Sequence, residues 1–402
     1  MKEIQNIIKR DEYINRVKPF MNKSLIKVFT GQRRVGKSYL MFQLMQELKL
    51  QNKDAHIIYI NCEDIEFDFI RTAKELNEYV VSKIKDNEKN YIFIDEIQEI
   101  AEFERAVRSL ALNANNDIYI TGSNANMLSG ELATFLSGRY IEFKIHGLSY
   151  TEFIKFHRLE NDFQSYKLYA KYGGLPYLVN LKLTDDVVGE YLKSIYSTII
   201  YRDVVSRHNL RDTDFLEKLT HYLADNIGSL FSAQSISNYL KSQKSTVSVK
   251  QVQNYVSHLA NAFLIYRAER FDIIGKRIFD FGEKFYFEDL GIRNIITGYH
   301  IKDRAKILEN IVYNHLIFRG YDVKSGSINS LEIDFVCRKN NELLYVQVAV
   351  ELTKTETIER EFGNLLLIKD NYPKIVVSEE NFQGNSYQGI QHVFILDFLK
   401  NY

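Results

Sequence analysis

One octapeptide constrains this chain more than any other feature. Gly31-Gln32-Arg33-Arg34-Val35-Gly36-Lys37-Ser38 satisfies GxxxxGK[ST] in full. It follows an apolar run, Ile26-Lys27-Val28-Phe29-Thr30, and opens a helical stretch from Tyr39 to Leu48. Phosphate binding needs strand, loop and helix in that order. Glycines let the backbone curl until its N–H groups converge on phosphate oxygens, and the helix start adds free N–H groups and the positive end of its dipole. Lys37 is then placed for the β- and γ-phosphates of ATP, and Ser38 offers a hydroxyl to Mg²⁺. The expected nucleotide contacts are Gly31, Gln32, Arg33, Arg34, Val35, Gly36, Lys37, Ser38 and Tyr39.

The flanking sequence supplies a sheet to carry this loop. Apolar runs at 26–30, 56–60, 91–94, 118–121 and 140–145 read as short buried strands, and 38–48, 69–84 and 101–113 read as helices. Such alternation predicts a parallel sheet with helices on both faces. The run Tyr91-Ile92-Phe93-Ile94 ends in Asp95 and Glu96. Asp95 is the expected Mg²⁺ partner, and Glu96 the general base that polarises an attacking water. The next strand ends Ile120-Thr121-Gly122-Ser123-Asn124, where Asn124 or Ser123 is placed to orient that water. Arg139, just before the last strand, is a candidate phosphate contact in cis or an arginine finger in trans.

From about Gly147 to Leu264 the sequence is almost entirely helical in pattern. Val249, Val252, Val256, Leu259 and Phe263 repeat at helical spacing, and Ser248 with Gln251 forms a capping-box pair. Two short helices, a turn and strand-like Ile265–Phe271 and Arg277–Phe287 follow the order of a winged helix-turn-helix. The polar face of its second helix, with Lys250, Gln253 and Asn254, and Lys244 just before it, is the candidate DNA contact. Beyond Leu290 the pattern returns to mixed α/β.

Composition narrows the classes. Lys+Arg and Asp+Glu both number 52, so any nucleic-acid contact must be a local patch rather than a generic polyanion surface. Two cysteines, Cys62 and Cys337, suit a reducing cytosol and argue against a disulfide framework or a cysteine zinc site. No apolar stretch is long enough for a membrane span, and the expectation is a cytoplasmic protein with no membrane partner.

Together Thr30–Leu40 (TGQRRVGKSYL), Ile94–Ile97 (IDEI), Thr121–Asn124 (TGSN), Leu136–Arg139 (LSGR), His146–Phe153 (HGLSYTEF), Gly173–Leu178 (GGLPYL), Tyr201–Val204 (YRDV), Leu308–Val312 (LENIV), Glu332–Val336 (EIDFV) and Tyr345–Ala349 (YVQVA) resemble a family of prokaryotic AAA-type ATPases with a C-terminal domain of unknown function. The resemblance implies an additional-strand P-loop core, a helical lid, a winged-helix region and a nuclease-like end domain. The expected fold is therefore α/β: an ATPase core over 1–146, a lid over 147–205, a winged helix over 206–288 and a small restriction-endonuclease-like domain over 289–402. Glu309, Asp334 and Gln347 resemble the PD-(D/E)xK nuclease pattern, whose chemistry needs carboxylates on a divalent metal and a lysine beside the attacking water. Gln347 stands at the second acid position and Ala349 at the lysine position, so the pattern reads as vestigial. Lys354 lies beyond the strand. Three functions stay open: a remodelling ATPase acting on DNA or protein, a nucleotide-gated scaffold whose end domain recruits a protein, and an ATP-dependent nuclease. A homo-oligomer is compatible with all three.

Overall fold

The apolar runs around the loop become five parallel strands: β1 (Ile26–Thr30), β2 (His56–Asn61), β3 (Asn90–Asp95), β4 (Asn116–Gly122) and β5 (Tyr140–Lys144), in the order β2-β3-β4-β1-β5. The computed structural model describes residues 7–125, 138–242, 247–273, 275, 282–329, 331–380 and 385–402. Every residue of β1, β3 and β4 is buried, whereas the edge strands β2 and β5 are partly exposed. Helices covering both faces of the inner strands explain why their sequences are continuous apolar runs rather than alternating ones. The helices are α1 (Asp11–Val17), α2 (Lys37–Gln51), α3 (Ala73–Lys83) and α4 (Phe103–Leu110). Ile58, Ile60, Ile92, Ile94 and Ile120 pack with Leu76 and Val80 of α3 and Val107 and Leu110 of α4, each such side chain contributing roughly 1.5–3 kcal/mol by leaving water.

The expected helix over 69–84 starts at Ala73. Thr72 is extended (φ −126°, ψ 159°) and forms a full capping box with Glu75, and that local hydrogen bonding sets the boundary against a pattern that would extend it.

Chain contacts divide the protein into two units, Met1–His146 with Asn261–Phe263, and Gly147–Ala260 with Leu264–Tyr402. The second unit begins with α5 (Tyr150–His157), α6 (Phe163–Tyr172) and α7 (Asp185–Thr198). The long helical stretch expected to reach Ser206 changes character after α7, because Ile199–Ser206 forms a π-helix. There follow α8 (Thr213–Asp225), β6 (Leu230–Phe231), α9 (Ala233–Ser242), α10 (Val249–Asn261), β7 (Ile265–Asp272), β8 (Glu283–Phe287), α11 (Leu290–Thr297) and α12 (Arg304–Phe318). The chain ends with β9 (Asp322–Ile328), β10 (Leu331–Lys339), β11 (Glu342–Ala349), α13 (Thr355–Leu366), β12 (Lys374–Ser378), β13 (Ser386–Tyr387), β14 (Ile390–Phe394) and α14 (Ile395–Asn401).

The strands of this unit form one mixed sheet, β13-β14-β12-β11-β10-β9-β7-β8-β6. It runs across the boundary expected at residue 288, because β7 pairs in parallel with β9, Phe271 opposite Gly326. That pairing joins segments far apart in sequence, so no local pattern announces it. Among the described residues no helix is long and apolar enough to cross a membrane.

In the first unit a charge is buried between β1 and β4. Lys27 and Asp117 pair with both side chains fully buried. Asp117 also accepts from the Asn22 amide and the Tyr119 hydroxyl, each at 2.8 Å. Burial works against the Lys27 charge and Asp117 supports it. Asp117→Ala should cost about 3–5 kcal/mol by stranding the ammonium, while Lys27→Met with Asp117→Leu should sit much closer to wild type. Chemical denaturation of the single and double variants measures the difference.

Candidate functional site

The loop after β1 takes its shape from backbone conformations that few residues adopt. Gly31 has φ 149°, and a Cβ there would lie 2.1 Å from the Ile145 carbonyl oxygen. Gly36, the residue before α2, is left-handed (φ 97°, ψ 25°) and offers no side-chain cap, which leaves the first N–H groups of α2 free at the loop. Arg34 also has positive φ, 71°. Val35 and Gln32 are fully buried, whereas Arg34 and Tyr39 are exposed. Neither polar atom of the Gln32 amide has a hydrogen-bond partner. Arg33 Nη1 meets Glu63 Oε1 at 3.1 Å.

Lys37 folds back across this loop. Its Nζ donates to the Gly31 and Gln32 carbonyls at 3.0 and 3.1 Å and stands 3.6 Å from Glu96 Oε1. The buried ammonium therefore has two neutral acceptors and one carboxylate just beyond hydrogen-bond range.

The acids come from β3, two strands from β1. Between them β4 brings Thr121 beside Phe29 of β1. The Thr121 hydroxyl donates to Asp95 Oδ1 and accepts from the Glu96 amide at 2.8 Å. Asp95 also accepts from the Tyr59 hydroxyl at 3.2 Å, and Ser38 lies close enough to favour its ionised form. The expected metal pair, Ser38 and Asp95, thus lies close together. Burial raises the Asp95 pKa, and the neighbouring Glu96 adds to this, although Ser38, Thr121 and Lys37 pull the other way.

Glu96 is left-handed (φ 53°). Burial pushes its carboxyl up, but Lys37 and a hydrogen bond from Gln98 outweigh this, so its pKa is lowered. Gln98 Nε2 donates to Glu96 Oε2 at 2.5 Å and lies 3.4 Å from Ser123 Oγ. Glu96 is therefore charged, held by Gln98 and turned toward Lys37. Asn124 is half-buried just past β4, beside Ser123 in sequence.

Arg139 lies elsewhere. It is exposed, and its carbonyl accepts from the amide of Ile26, the first residue of β1. Four residue steps of roughly 3.3 Å separate that end from the loop. Arg139 therefore does not join Lys37 within one chain, which corrects the expectation of a contact in cis.

Other participants escaped sequence reasoning. Arg10 is buried, and its Nη1 donates to the Val35 carbonyl of the loop at 3.1 Å and to the His146 carbonyl at 2.9 Å. No motif marks it. Thr121 lay inside a recognised segment, yet only its position between two strand ends shows what its hydroxyl does.

In the second unit, Lys250, Gln253 and Asn254 are exposed on α10, while Val252, Tyr255, Val256 and Leu259 are buried. The Gln251 amide donates to Ser248 Oγ. Lys244 lies outside the described residues. Glu309 and Asp334 converge, but Gln347 is committed elsewhere: its Oε1 accepts from the Asp334 amide at 3.3 Å and its Nε2 donates to Glu361 at 2.8 Å. Ala349 is buried in the core of this unit. Among the described residues no group of three or more His, Cys, Asp or Glu side chains is arranged to hold a metal ion.

Residues 23–154 match a family described as AAA domain, and residues 163–302 match a domain of unknown function, DUF8612. The chain is 39% identical over 402 positions to an uncharacterised protein of Haemophilus influenzae, covering 98% of each. It is 32% identical over 426 positions to an uncharacterised protein of Methanocaldococcus jannaschii, covering 98% of this chain and 92% of that one. Among solved structures, an Aeropyrum pernix ORC1 protein in complex with DNA aligns with 11% identity and a TM-score of 0.34, over 73% of this chain and 94% of that one.

Removing the bridging hydroxyl tests the site's architecture. Thr121→Val should lower stability by about 1–3 kcal/mol, because a buried acceptor on Asp95 and the Glu96 amide both lose their partner. Thr121→Ser should retain most of it in the same denaturation measurement.

Proposed function

We propose that this chain, which belongs to one family with its Haemophilus influenzae relative and whose residues 23–154 match a family described as AAA domain, is a P-loop ATPase that binds ATP with Mg²⁺ and hydrolyses it. The observation that carries this reading is the position of Lys37, which spans the Gly31 and Gln32 carbonyls 3.6 Å from Glu96. The ammonium exchanges those neutral acceptors for phosphate oxygens, a charge-assisted contact roughly twice as strong.

Three features fit a polyphosphate and its metal. The cradle at Gly31 is one that a Cβ would fill, the buried Gln32 amide lacks partners, and Ser38 and Asp95 stand near one another as oxygen donors. Hard cations take such oxygen ligands. When bound, Mg²⁺ neutralises phosphate charge. Glu96 serves as the base: it is ionised, buried and hydrogen-bonded by Gln98, ready to accept a proton from water. Asn124 and Ser123 are assigned to water orientation. Arg139 remains a candidate only in trans, from a second copy in a homo-oligomer.

In the second unit, α9, α10, β7 and β8 are assigned to a winged-helix-like module that couples nucleotide state to DNA. Support comes from the open polar face of α10 carrying Lys250, Gln253 and Asn254. A protein partner of the end domain is the competing assignment. Exchanging those three residues for alanine should weaken duplex binding and flatten its salt dependence; binding that is unchanged across a salt series points to the protein partner instead.

Glu96→Gln should lower ATP turnover by about 10²–10⁴-fold with nucleotide affinity retained, and Lys37→Ala should lose affinity itself. Turnover that survives Glu96→Gln removes Glu96 as the base. The raised pKa of Asp95 adds a pH signature. A proton competes with the cation for this carboxylate, so affinity for Mg²⁺-nucleotide should weaken as pH falls through that raised value. Asp95→Asn should lack this step in fluorescent-nucleotide titrations across pH.

A further inference from the structure

A lysine sits where the nuclease-like pattern calls for a metal. Lys284, the second residue of β8, is 2% exposed. A buried ammonium persists only when closely paired. Its Nζ lies 2.8 Å from Glu309 Oε1 on α12, in contact with Glu332 and 3.7 Å from Asp334 Oδ1, both on β10. Burial opposes its charge, but the three carboxylates more than reverse this, and its pKa is raised.

The remaining atoms leave little freedom around it. Glu309 Oε1 also accepts from the Tyr286 hydroxyl at 2.6 Å, two residues along the same face of β8. Tyr286 stacks on Tyr313 with ring centroids 4.2 Å apart. The other Glu309 oxygen lies against Gly228, where an added Cβ would be 2.9 Å away. Asp334 Oδ2 accepts from the Val348 amide at 2.8 Å. The carboxylates that a nuclease would turn toward a divalent cation therefore converge on the ammonium of a strand outside the pattern, and the residues present do not fit a metal.

We propose that Lys284 is a built-in cation that takes the place of the divalent metal, so that the cluster of Glu309, Glu332 and Asp334 clasps β8 to α12 and β10 instead of cutting nucleic acid. The clasp joins β8, one of the strands assigned to the winged-helix-like module, to the scaffold of the end domain. It stands independently of the phosphate-loop reading. Removing the ammonium leaves three carboxylates with no cation; they are not arranged to hold a metal as they stand, but without the ammonium these hard oxygen donors are free to close on Mg²⁺ or Mn²⁺.

The test is Mn²⁺ titration of the full chain without nucleotide, followed by electron paramagnetic resonance. It compares wild type, Asp334→Asn, Lys284→Met and Lys284→Met with Asp334→Asn. Wild type and Asp334→Asn should bind Mn²⁺ alike. Lys284→Met should gain one bound equivalent per chain, which the added Asp334→Asn removes, and its thermal midpoint should rise with Mn²⁺. An equivalent in wild type that Asp334→Asn abolishes overturns the proposal, since the centre would then be an open metal site. A folded Lys284→Met that gains nothing overturns it as well. If Lys284→Met does not fold, Mn²⁺ during refolding should restore it, and failure to do so counts against the clasp.

Discussion

The candidate site depends on β4 lying between β1 and β3. Neighbouring strands are roughly 4.8 Å apart, so the loop and the acids start about 10 Å from one another and cannot join through backbone pairing. Side chains close the gap. Thr121 reaches sideways from β4 to hold Asp95 and the Glu96 amide, Ser38 at the start of α2 lies near Asp95, and Lys37 approaches Glu96 from the loop. Residues in sparsely populated backbone regions surround this assembly, with Arg34 and Glu96 both at positive φ. Such conformations cost of order 1–3 kcal/mol each, and the buried sheet beneath holds them.

Three buried ammonium groups illustrate how pairing separates structural from reactive charge. Lys27 is matched by one fully buried carboxylate, which itself has two further donors. Lys284 is surrounded by three carboxylates. Lys37 differs: its close partners are backbone carbonyls, and its carboxylate stands farther off at 3.6 Å. Neutral acceptors are the easier ones to exchange for an anion. The same residue type is thus held in three different ways, and the proposed clasp at Lys284 and proposed phosphate contact at Lys37 follow from what each is bonded to.

The loop and the two acids were legible because their signals are local. Gly31, Gly36, Lys37 and Ser38 lie within eight consecutive residues, and Asp95 and Glu96 directly end an apolar run. The capping of α3 at Thr72 shows the limit of periodicity, since an apolar pattern continued to Phe69 where the backbone was not helical. Arg139 looked close to the last strand and was, but at the end of the sheet away from the loop; sequence order places a residue on a strand without revealing which end faces the chemistry. The nuclease-like pattern identified Glu309 and Asp334 and the missing lysine at Ala349. Lys284 was invisible to it, because it lies on another strand well outside the motif.

By itself the sequence determined the phosphate loop, the parallel α/β character of the first unit and the acids that end β3. These follow from backbone rules that act over a few residues: where glycine is needed, where a helix starts, which runs are buried on both faces. Only the tertiary structure decided that Thr121 bridges the acids, that Arg10 supports the loop carbonyl at Val35, that β7 continues into the sheet at β9, and that Lys284 stands among Glu309, Glu332 and Asp334. Each of these is a contact between segments distant in sequence. Its partner is chosen by strand order and by the need to satisfy buried polar groups, and neither constraint leaves a periodic trace along the chain.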